Sequence, residues 1–154
     1  MKRLFAYSLP ILLCALLLIG CTQSNNAVLS APKTSWDVTE DITVSLENST
    51  FPVGTSEFTV IFENRSNAPL LYGEEAYFEK FVNGEWTKVS TIENSAFNSI
   101  GYFVPGGETT KFTISTWFLA EPLSAGRYRV TGSTLYLESL PSQYPAYQLE
   151  FDIE

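Results

Sequence analysis

Alternation of apolar and polar residues at every second position is the feature of this sequence that most constrains its fold. Residues 42–46 and 58–62 both show it, with branched aliphatic or aromatic side chains at the even positions. A period of two places successive side chains on opposite faces of an extended chain, so both segments are predicted to be half-buried strands. A turn-rich break at 51–55 separates them, which favours antiparallel pairing.

Turn residues divide the rest of the sequence into further short strands. Asn83-Gly84 lies between two β-rich runs, and this dipeptide predicts a type I′ hairpin because it tolerates positive φ at both positions. Turn signals recur about every ten residues up to a last alternating segment at 147–153, and no segment has a helical period. We therefore predict an all-β, antiparallel, Greek-key sandwich of eight or nine strands, with aromatic side chains filling its core.

The N-terminus has the layout of a secretory signal. Lys2 and Arg3 precede a mostly apolar run at 4–19, and the chain turns polar directly after Cys21. The apolar run is shorter than the roughly 20 residues that a membrane-spanning helix needs. Secretion, rather than a spanning helix, is the expectation.

The end of this run, Leu18-Ile19-Gly20-Cys21, resembles the lipobox of bacterial lipoproteins. The resemblance implies cleavage after Gly20, lipidation of Cys21, and attachment of the mature protein to the cell membrane on its extracytoplasmic face. An ordinary signal peptide and an uncleaved N-terminal anchor are the alternatives. The predicted organisation is a signal peptide at 1–20, a flexible tether at 21–36 rich in Ser, Asn, Thr, Ala and Pro, and one β-sandwich domain at 37–154.

Charge and cysteine content limit what the mature domain can bind and how it is held together. The chain has 9 basic and 17 acidic residues, and Lys2 and Arg3 lie in the predicted signal. The predicted mature protein therefore has seven scattered basic residues and seventeen acidic ones. Nucleic acid requires clustered cations, so we expect no nucleic-acid partner. Cys14 and Cys21 are the two cysteines, which leaves no disulfide for the domain and makes lipid the predicted means of membrane attachment.

The residue types for common catalytic and metal sites are missing. The sequence has no histidine, and Cys21 is the predicted lipid site, which removes imidazole bases, thiol nucleophiles and the usual zinc ligands. Acidic clusters at 37–41 and 74–75 lack EF-hand spacing, and no serine lies in a Gly-x-Ser-x-Gly elbow. We expect no enzyme activity, no catalytic residue, no metal and no cofactor.

A spaced series of segments between about 41 and 130 resembles a family of bacterial immunoglobulin-like domains found in secreted and lipid-anchored proteins. The resemblance implies an immunoglobulin-like sandwich without assigned catalytic residues. Gly126-x-Tyr128 is also similar to the tyrosine corner of Greek-key sandwiches, and we expect Phe78, Trp86 and Tyr128 in the core. The segments that carry the resemblance include Phe51-Pro52-Val53-Gly54-Thr55, Tyr72-Gly73-Glu74, Phe78-Glu79-Lys80, Gly84-Glu85-Trp86, Gly101-Tyr102, Pro105-Gly106 and Gly126-Arg127-Tyr128-Arg129-Val130.

Five aromatic residues outside the clear strands are candidates for a ligand surface. Exposed rings would suit a polysaccharide or a peptide on a surface protein, whereas the alternative is that these rings close one end of the sandwich. The candidates are Trp117, Phe118, Tyr136, Tyr144 and Tyr147.

The sequence favours a lipid-anchored, non-enzymatic module that serves adhesion, envelope interaction or accessory binding. An alternative is a proteinase inhibitor, because the 64–70 segment and the Gly-containing hairpin are also similar to a Bacillus intracellular proteinase-inhibitor family of sandwich type. A secretory signal conflicts with an intracellular role.

Overall fold

The computed structural model describes residues 30–137, 143–144 and 146–154, with residues 143 and 144 described by their backbone alone. The predicted signal peptide, the lipobox with Cys21 and the tether up to residue 29 lie outside the described residues. Thirteen strands follow in chain order: β1 (Ser35–Asp37), β2 (Ile42–Leu46), β3 (Thr50–Phe51), β4 (Glu57–Asn64), β5 (Leu70–Gly73), β6 (Ala76–Val82), β7 (Glu85–Lys88), β8 (Gly101–Val104), β9 (Glu108–Ser115), β10 (Gly126–Gly132), β11 (Leu135–Leu137), β12 (Gln143–Tyr144) and β13 (Gln148–Ile153).

These strands form three sheets. The first has the order β1-β2-β4-β9, the second β3-β13-β10-β6-β7, and the third β12-β11-β5-β8. Every pair is antiparallel except β3 with β13. The prediction of eight or nine strands was too low, since strands of two or three residues, such as β1, β3, β11 and β12, are too short to show a period.

The path of the chain between the first two sheets gives them a Greek-key connectivity. β4 lies beside β9 in the first sheet, and β6 lies beside β10 in the second. The chain therefore crosses from one sheet to the other after β4, returns before β9 and crosses again before β10. Strands that are distant in sequence become neighbours, which confirms the predicted sandwich.

The core lies between the inner faces of these sheets. Strand β4 alternates strictly between buried and partly exposed positions, as its sequence predicts. Its Phe58 ring meets the rings of Phe78 and Phe151 from the opposite sheet at centroid distances of 5.7 and 4.8 Å. Such aromatic pairs add to the free energy gained by burying apolar area.

Two local predictions are confirmed and one is wrong. Asn83 and Gly84 have φ values of 53° and 91°, as a type I′ hairpin requires. The Tyr128 hydroxyl donates to the Ser124 carbonyl at 2.9 Å, which is the bond of a tyrosine corner. Trp86 is not a core residue: it is half-buried on the outermost strand β7, and the Arg129 guanidinium lies 4.8 Å from its ring.

The N-terminal edge of the sandwich begins before the predicted boundary at residue 37. β1 pairs with β2, and the Leu46 N–H donates to the Thr34 carbonyl at 2.9 Å. The Glu150 N–H donates to the Lys33 carbonyl at 2.7 Å. The described part of the predicted tether, 30–36, is therefore bonded to strands of both main sheets. Among the described residues, no helix is long and apolar enough to cross a membrane.

Candidate functional site

The structure separates the five aromatic residues that the sequence predicts as a ligand surface. Trp117 and Tyr136 are exposed, whereas Phe118 and Tyr147 are core residues at 1 % exposure. The Tyr144 side chain lies outside the described part of the chain. Phe118 and Tyr147 therefore support the alternative, in which aromatic rings close the sandwich, and Trp117 and Tyr136 remain candidates at two different places.

Tyr136 belongs to an apolar row that crosses the outer face of the third sheet. In the strand register, Tyr136 of β11 lies opposite Leu71 of β5, and Leu71 lies opposite Phe103 of β8. Residues directly opposite each other place their side chains on the same face. Phe103 and Tyr136 are 60 % and 44 % exposed, so this row presents apolar surface to solvent.

A pair of glycines opens a groove beside the row. Gly73 lies opposite Gly101, and neither carries a side chain that could fill the space above the sheet. A cavity of about 290 Å³ lies there, with Leu71, Ile100 and Tyr136 among its apolar lining residues. We call this cavity the glycine groove. A Cβ atom at Gly101 would lie 2.6 Å from Leu71 Cδ1, so the position of Leu71 also depends on this glycine.

Polar groups line the other part of the glycine groove and hold its shape. The Gly73 N–H donates to Ser133 Oγ at 2.8 Å, and the Ile100 N–H donates to Asn98 Oδ1 at 3.0 Å. Ser133 is one of two buried polar residues in the part of the chain that the structure describes. The remaining polar lining residues are Glu75, Ser99 and Thr134.

The composition of the glycine groove fits binding better than catalysis. Apolar walls combined with a few fixed polar groups are typical of ligand sites. Hydroxyl and amide groups predominate, Glu75 supplies one carboxylate, and none of the described lining residues is a cation. Among the described residues, no group of three or more His, Cys, Asp or Glu side chains could hold a metal ion.

A larger cavity of about 550 Å³ lies beside the β6–β7 hairpin, and Lys80, one of its three charged lining residues with Lys88 and Glu121, is already bonded within the protein. Lys80 Nζ donates to Ser124 Oγ at 2.7 Å and to the Ala125 carbonyl at 2.9 Å. It also lies 5.2 Å from the Tyr128 ring centroid. Lys80 thus braces the loop of the tyrosine corner, so the glycine groove is the better candidate.

Sequence reasoning identified Tyr136 but missed most of the glycine groove. Gly73 and Gly101 belong to segments that carry the family resemblance, but they were not recognised as partners, because they are 28 positions apart in the sequence. Leu71 and Phe103 have the alternation of ordinary strand residues, and their exposure depends on which face of the third sheet remains uncovered. One sequence feature could have indicated the groove: each glycine lies at one end of a short strand that contains an aromatic residue.

A family model described as a bacterial Ig-like domain matches residues 38–145. This chain belongs to the bacterial Ig-like domain family. The match confirms the resemblance predicted for about 41 to 130 and extends beyond it to residue 145, a range that includes β11 and β12. The glycine groove thus lies within the matched region of this Ig-like domain.

Two solved structures are similar to this Ig-like protein at low sequence identity. The ASH / PapD-like domain of human CEP192 (PapD-like domain 7) is 12 % identical, with a TM-score of 0.39 over 72 % of this chain and 83 % of that one. The Pseudomonas fluorescens alkylpurine DNA glycosylase AlkC, bound to DNA containing an abasic site analog, is 10 % identical, with a TM-score of 0.39. This match covers 75 % of the present chain and 31 % of the glycosylase chain. No curated protein matches this Ig-like sequence.

Proposed function

We propose that this Ig-like protein is a lipid-anchored, non-enzymatic binding module on the extracytoplasmic face of the cell membrane, and that its glycine groove binds a surface polysaccharide. The lipobox resemblance at 18–21 supports the anchor. The observation that carries the binding role is the exposed row Tyr136–Leu71–Phe103 beside a groove with fixed polar groups.

A polysaccharide fits the glycine groove better than a charged polymer. Sugar rings combine apolar C–H faces with hydroxyl groups, and Tyr136 lies beside Ser99, Ser133 and Thr134 in the groove lining. An aromatic ring can cover the apolar face while hydroxyl and amide groups bond the sugar hydroxyls. Because the groove has no lining cation, an anionic polymer would lack a counter-charge.

The binding proposal is tested by co-sedimentation of the intact protein with insoluble cell-wall polysaccharide. The lipid-anchored protein is kept in solution with a polyoxyethylene ether detergent. This detergent carries neither a sugar nor an ammonium group that could compete for binding. Tyr136→Ala should weaken binding about fivefold or more, since a stacked ring contributes about 1 kcal/mol or more. Tyr77→Ala is the matched control, because Tyr77 is 45 % exposed, close to the 44 % of Tyr136.

Two results would contradict the polysaccharide proposal. One is equal loss of binding in Tyr136→Ala and Tyr77→Ala. The other is binding that disappears when the wall preparation is treated with protease, which would identify a protein as the partner. Retention of binding after protease treatment, with loss only in Tyr136→Ala, supports the proposal.

The anchor is tested separately by membrane fractionation. Cys21→Ser should release the protein from membranes or block its processing, since the lipid attachment site is lost. Cys14→Ser is the control, because Cys14 lies inside the predicted signal and is not expected to carry lipid. Unchanged membrane association of Cys21→Ser would refute the anchor.

A further inference from the structure

A second, smaller cavity combines three aromatic rings with a carboxylate. Its volume is about 180 Å³, and Glu74, Phe97, Phe112 and Trp117 are among its lining residues, together with the Thr113 and Ser115 segment of β9. We call it the Glu74 pocket. The Tyr102 hydroxyl bonds Glu74. Tyr102 precedes Phe103 of the exposed row on β8, and successive residues of a strand point to opposite faces of the sheet. The Glu74 pocket therefore lies on the other side of β8 from the exposed row, and Asn98 connects it to the glycine groove through its bonds to Glu74 and the Ile100 N–H.

The Glu74 carboxylate is held in place by two donors from other elements. The Tyr102 hydroxyl donates to Glu74 Oε1, and Asn98 Nδ2 donates to Glu74 Oε2 at 2.6 Å. The bond to Glu74, with partial desolvation and the nearby negative charge, raises the pKa of Tyr102. None of the four ion pairs among the described residues involves Glu74, and no cation lines the pocket.

The aromatic walls are also fixed before any ligand arrives. Trp117 is 56 % exposed, but its neighbour Phe118 is buried and accepts a hydrogen bond from the Ile92 N–H at 2.8 Å. Phe97 packs edge-on against Phe118 at 4.8 Å and lies 6.3 Å from the Trp117 ring. Phe112 is held by Tyr102 at 5.8 Å. The Glu74 pocket is therefore braced by contacts with the core, although Phe97 and Trp117 lie on segments that connect strands.

We propose that the Glu74 pocket binds a quaternary ammonium group, with the Glu74 carboxylate supplying the opposite charge and the three rings supplying the walls. A cation over an aromatic face is stabilised by the ring quadrupole, most strongly over Trp. The chain has 17 acidic and 9 basic residues, a balance that attracts cations over a longer range.

The chemistry of the Glu74 pocket favours a quaternary over a primary ammonium. A primary ammonium has three N–H donors to satisfy, and each Glu74 oxygen already accepts one hydrogen bond from the protein, which leaves fewer acceptor positions for them. A quaternary ammonium has no N–H group and needs only negative charge and ring faces. The volume of about 180 Å³ is below the 300–1,000 Å³ or so of sites for whole drug-sized ligands, so one head group fits.

Choline and its neutral isostere 3,3-dimethylbutan-1-ol test the proposal directly on the intact protein in polyoxyethylene ether detergent. The protein has three tryptophans, so the three indole N–H resonances can be followed by NMR, with Trp117→Phe identifying its own signal. Choline should shift the Trp117 resonance and bind about tenfold or more tightly than the isostere, because only choline carries charge. Equal affinity for the two compounds would overturn the proposal.

Variants separate the Glu74 carboxylate from general acidity. Glu74→Gln should weaken choline binding about tenfold, while Glu75→Gln, which changes an exposed carboxylate outside the pocket lining, should not. If Glu74→Gln does not fold, Trp117→Ala tests the ring wall from an exposed position; because this variant lacks the Trp117 resonance, choline binding is measured by calorimetry and should weaken about threefold or more. Unchanged choline binding in the folded variants would contradict the assignment.

A phosphocholine titration distinguishes the source of the ligand. Saturable binding of either compound at the Trp117 resonance supports the ammonium site, tighter phosphocholine binding indicates a lipid or polymer headgroup, and tighter choline binding indicates a free small molecule. Loss of choline binding in Glu74→Gln with normal polysaccharide binding in the same variant would show that this site is independent of the glycine groove.

Discussion

The two ends of β8 are each bonded by a polar side chain, one buried and one partly exposed. At the C-terminal end, Asn64 is fully buried, and its Nδ2 donates to the carbonyls of Ala68, Val104 and Pro105 at 2.9, 3.0 and 3.2 Å. Its Oδ1 accepts from the Ser66 N–H and hydroxyl at 3.1 and 2.6 Å. Both polar atoms of Asn64 are thus satisfied within the protein.

Near the N-terminal end of β8, Glu74 is bonded by Tyr102 and Asn98 but still lines a cavity. Each carboxylate oxygen can accept more than one hydrogen bond, and the charge remains uncompensated by an ion pair among the described residues. The difference separates two uses of a polar group. Asn64 closes a turn and specifies the fold, whereas Glu74 is positioned by the fold and keeps capacity for a ligand.

Removing the Asn64 amide should have the largest effect on stability. Asn64→Ala leaves one buried and two partly buried carbonyls without their partner, and an unsatisfied buried group costs about 1–3 kcal/mol. Urea unfolding should show a loss of about 2–4 kcal/mol. Asn67→Ala, in the same turn but exposed, should stay within about 0.5 kcal/mol of the original protein, and a similar loss in both variants would assign the effect to the turn as a whole.

A glycine comparison tests how tightly each end of β8 is packed. A Cβ at Gly106 would lie 2.7 Å from the Asn67 carbonyl carbon and 2.8 Å from the Ser66 carbonyl oxygen, which are backbone atoms. Gly106→Ala should therefore cost about 1–3 kcal/mol in a urea titration. Gly101→Ala in the glycine groove meets the Leu71 side chain instead, which can rotate, so a smaller loss is expected, and the reverse order would contradict this account.

Local features were predictable from the sequence because their cause is local. The alternation in β2 and β4, the Asn83-Gly84 hairpin and the Tyr128 corner each depend on a few neighbouring residues. Glu74 and Tyr102 are 28 positions apart, and the Gly73–Gly101 pair depends on strand register. Neither relation has a local signal.

The sequence also did not predict whether an aromatic side chain points into the core or toward solvent. Trp117 and Phe118 are adjacent in a turn, and one is exposed while the other is buried. Tyr147 is buried because Gly132 leaves room for its ring: a Cβ at Gly132 would lie 1.9 Å from Tyr147 Cζ. A ring in a loop-rich segment can thus be core or surface according to a distant glycine.

Truncation at the N-terminal edge tests whether a region outside β8 also stabilises the fold. A chain beginning at Val38 loses the β1–β2 pairs and the bonds of the Thr34 and Lys33 carbonyls, whereas one beginning at Ser30 keeps them. The shorter chain should be less stable by about 1–2 kcal/mol, since each backbone bond contributes about 1 kcal/mol or less after desolvation. Equal melting temperatures of the two chains would show that residues 30–37 do not stabilise the fold, as expected of a tether.

The smallest effect is expected at the exposed pair of Glu47 and Lys111. The hydrogen bond and charge of Lys111 lower the pKa of Glu47, so this pair stabilises the fold above the unfolded pKa of Glu47, and the contribution is lost as pH falls through the lowered folded value. Lys111→Met should raise the pKa of Glu47 in an NMR titration. Both side chains are largely solvated, so a change in stability should be hard to detect, and an unchanged Glu47 titration would contradict the assignment.

The most direct test of the contrast between the two ends of β8 is urea unfolding of Asn64→Ala and Glu74→Gln side by side. Asn64→Ala should lose about 2–4 kcal/mol, and Glu74→Gln about 1 kcal/mol or less, because the donors of Tyr102 and Asn98 are not fully buried and can bond water when the carboxylate is replaced. An equal or greater loss of unfolding free energy in Glu74→Gln would show that Glu74 is a structural residue like Asn64. It would contradict the proposal that the fold positions Glu74 for a ligand.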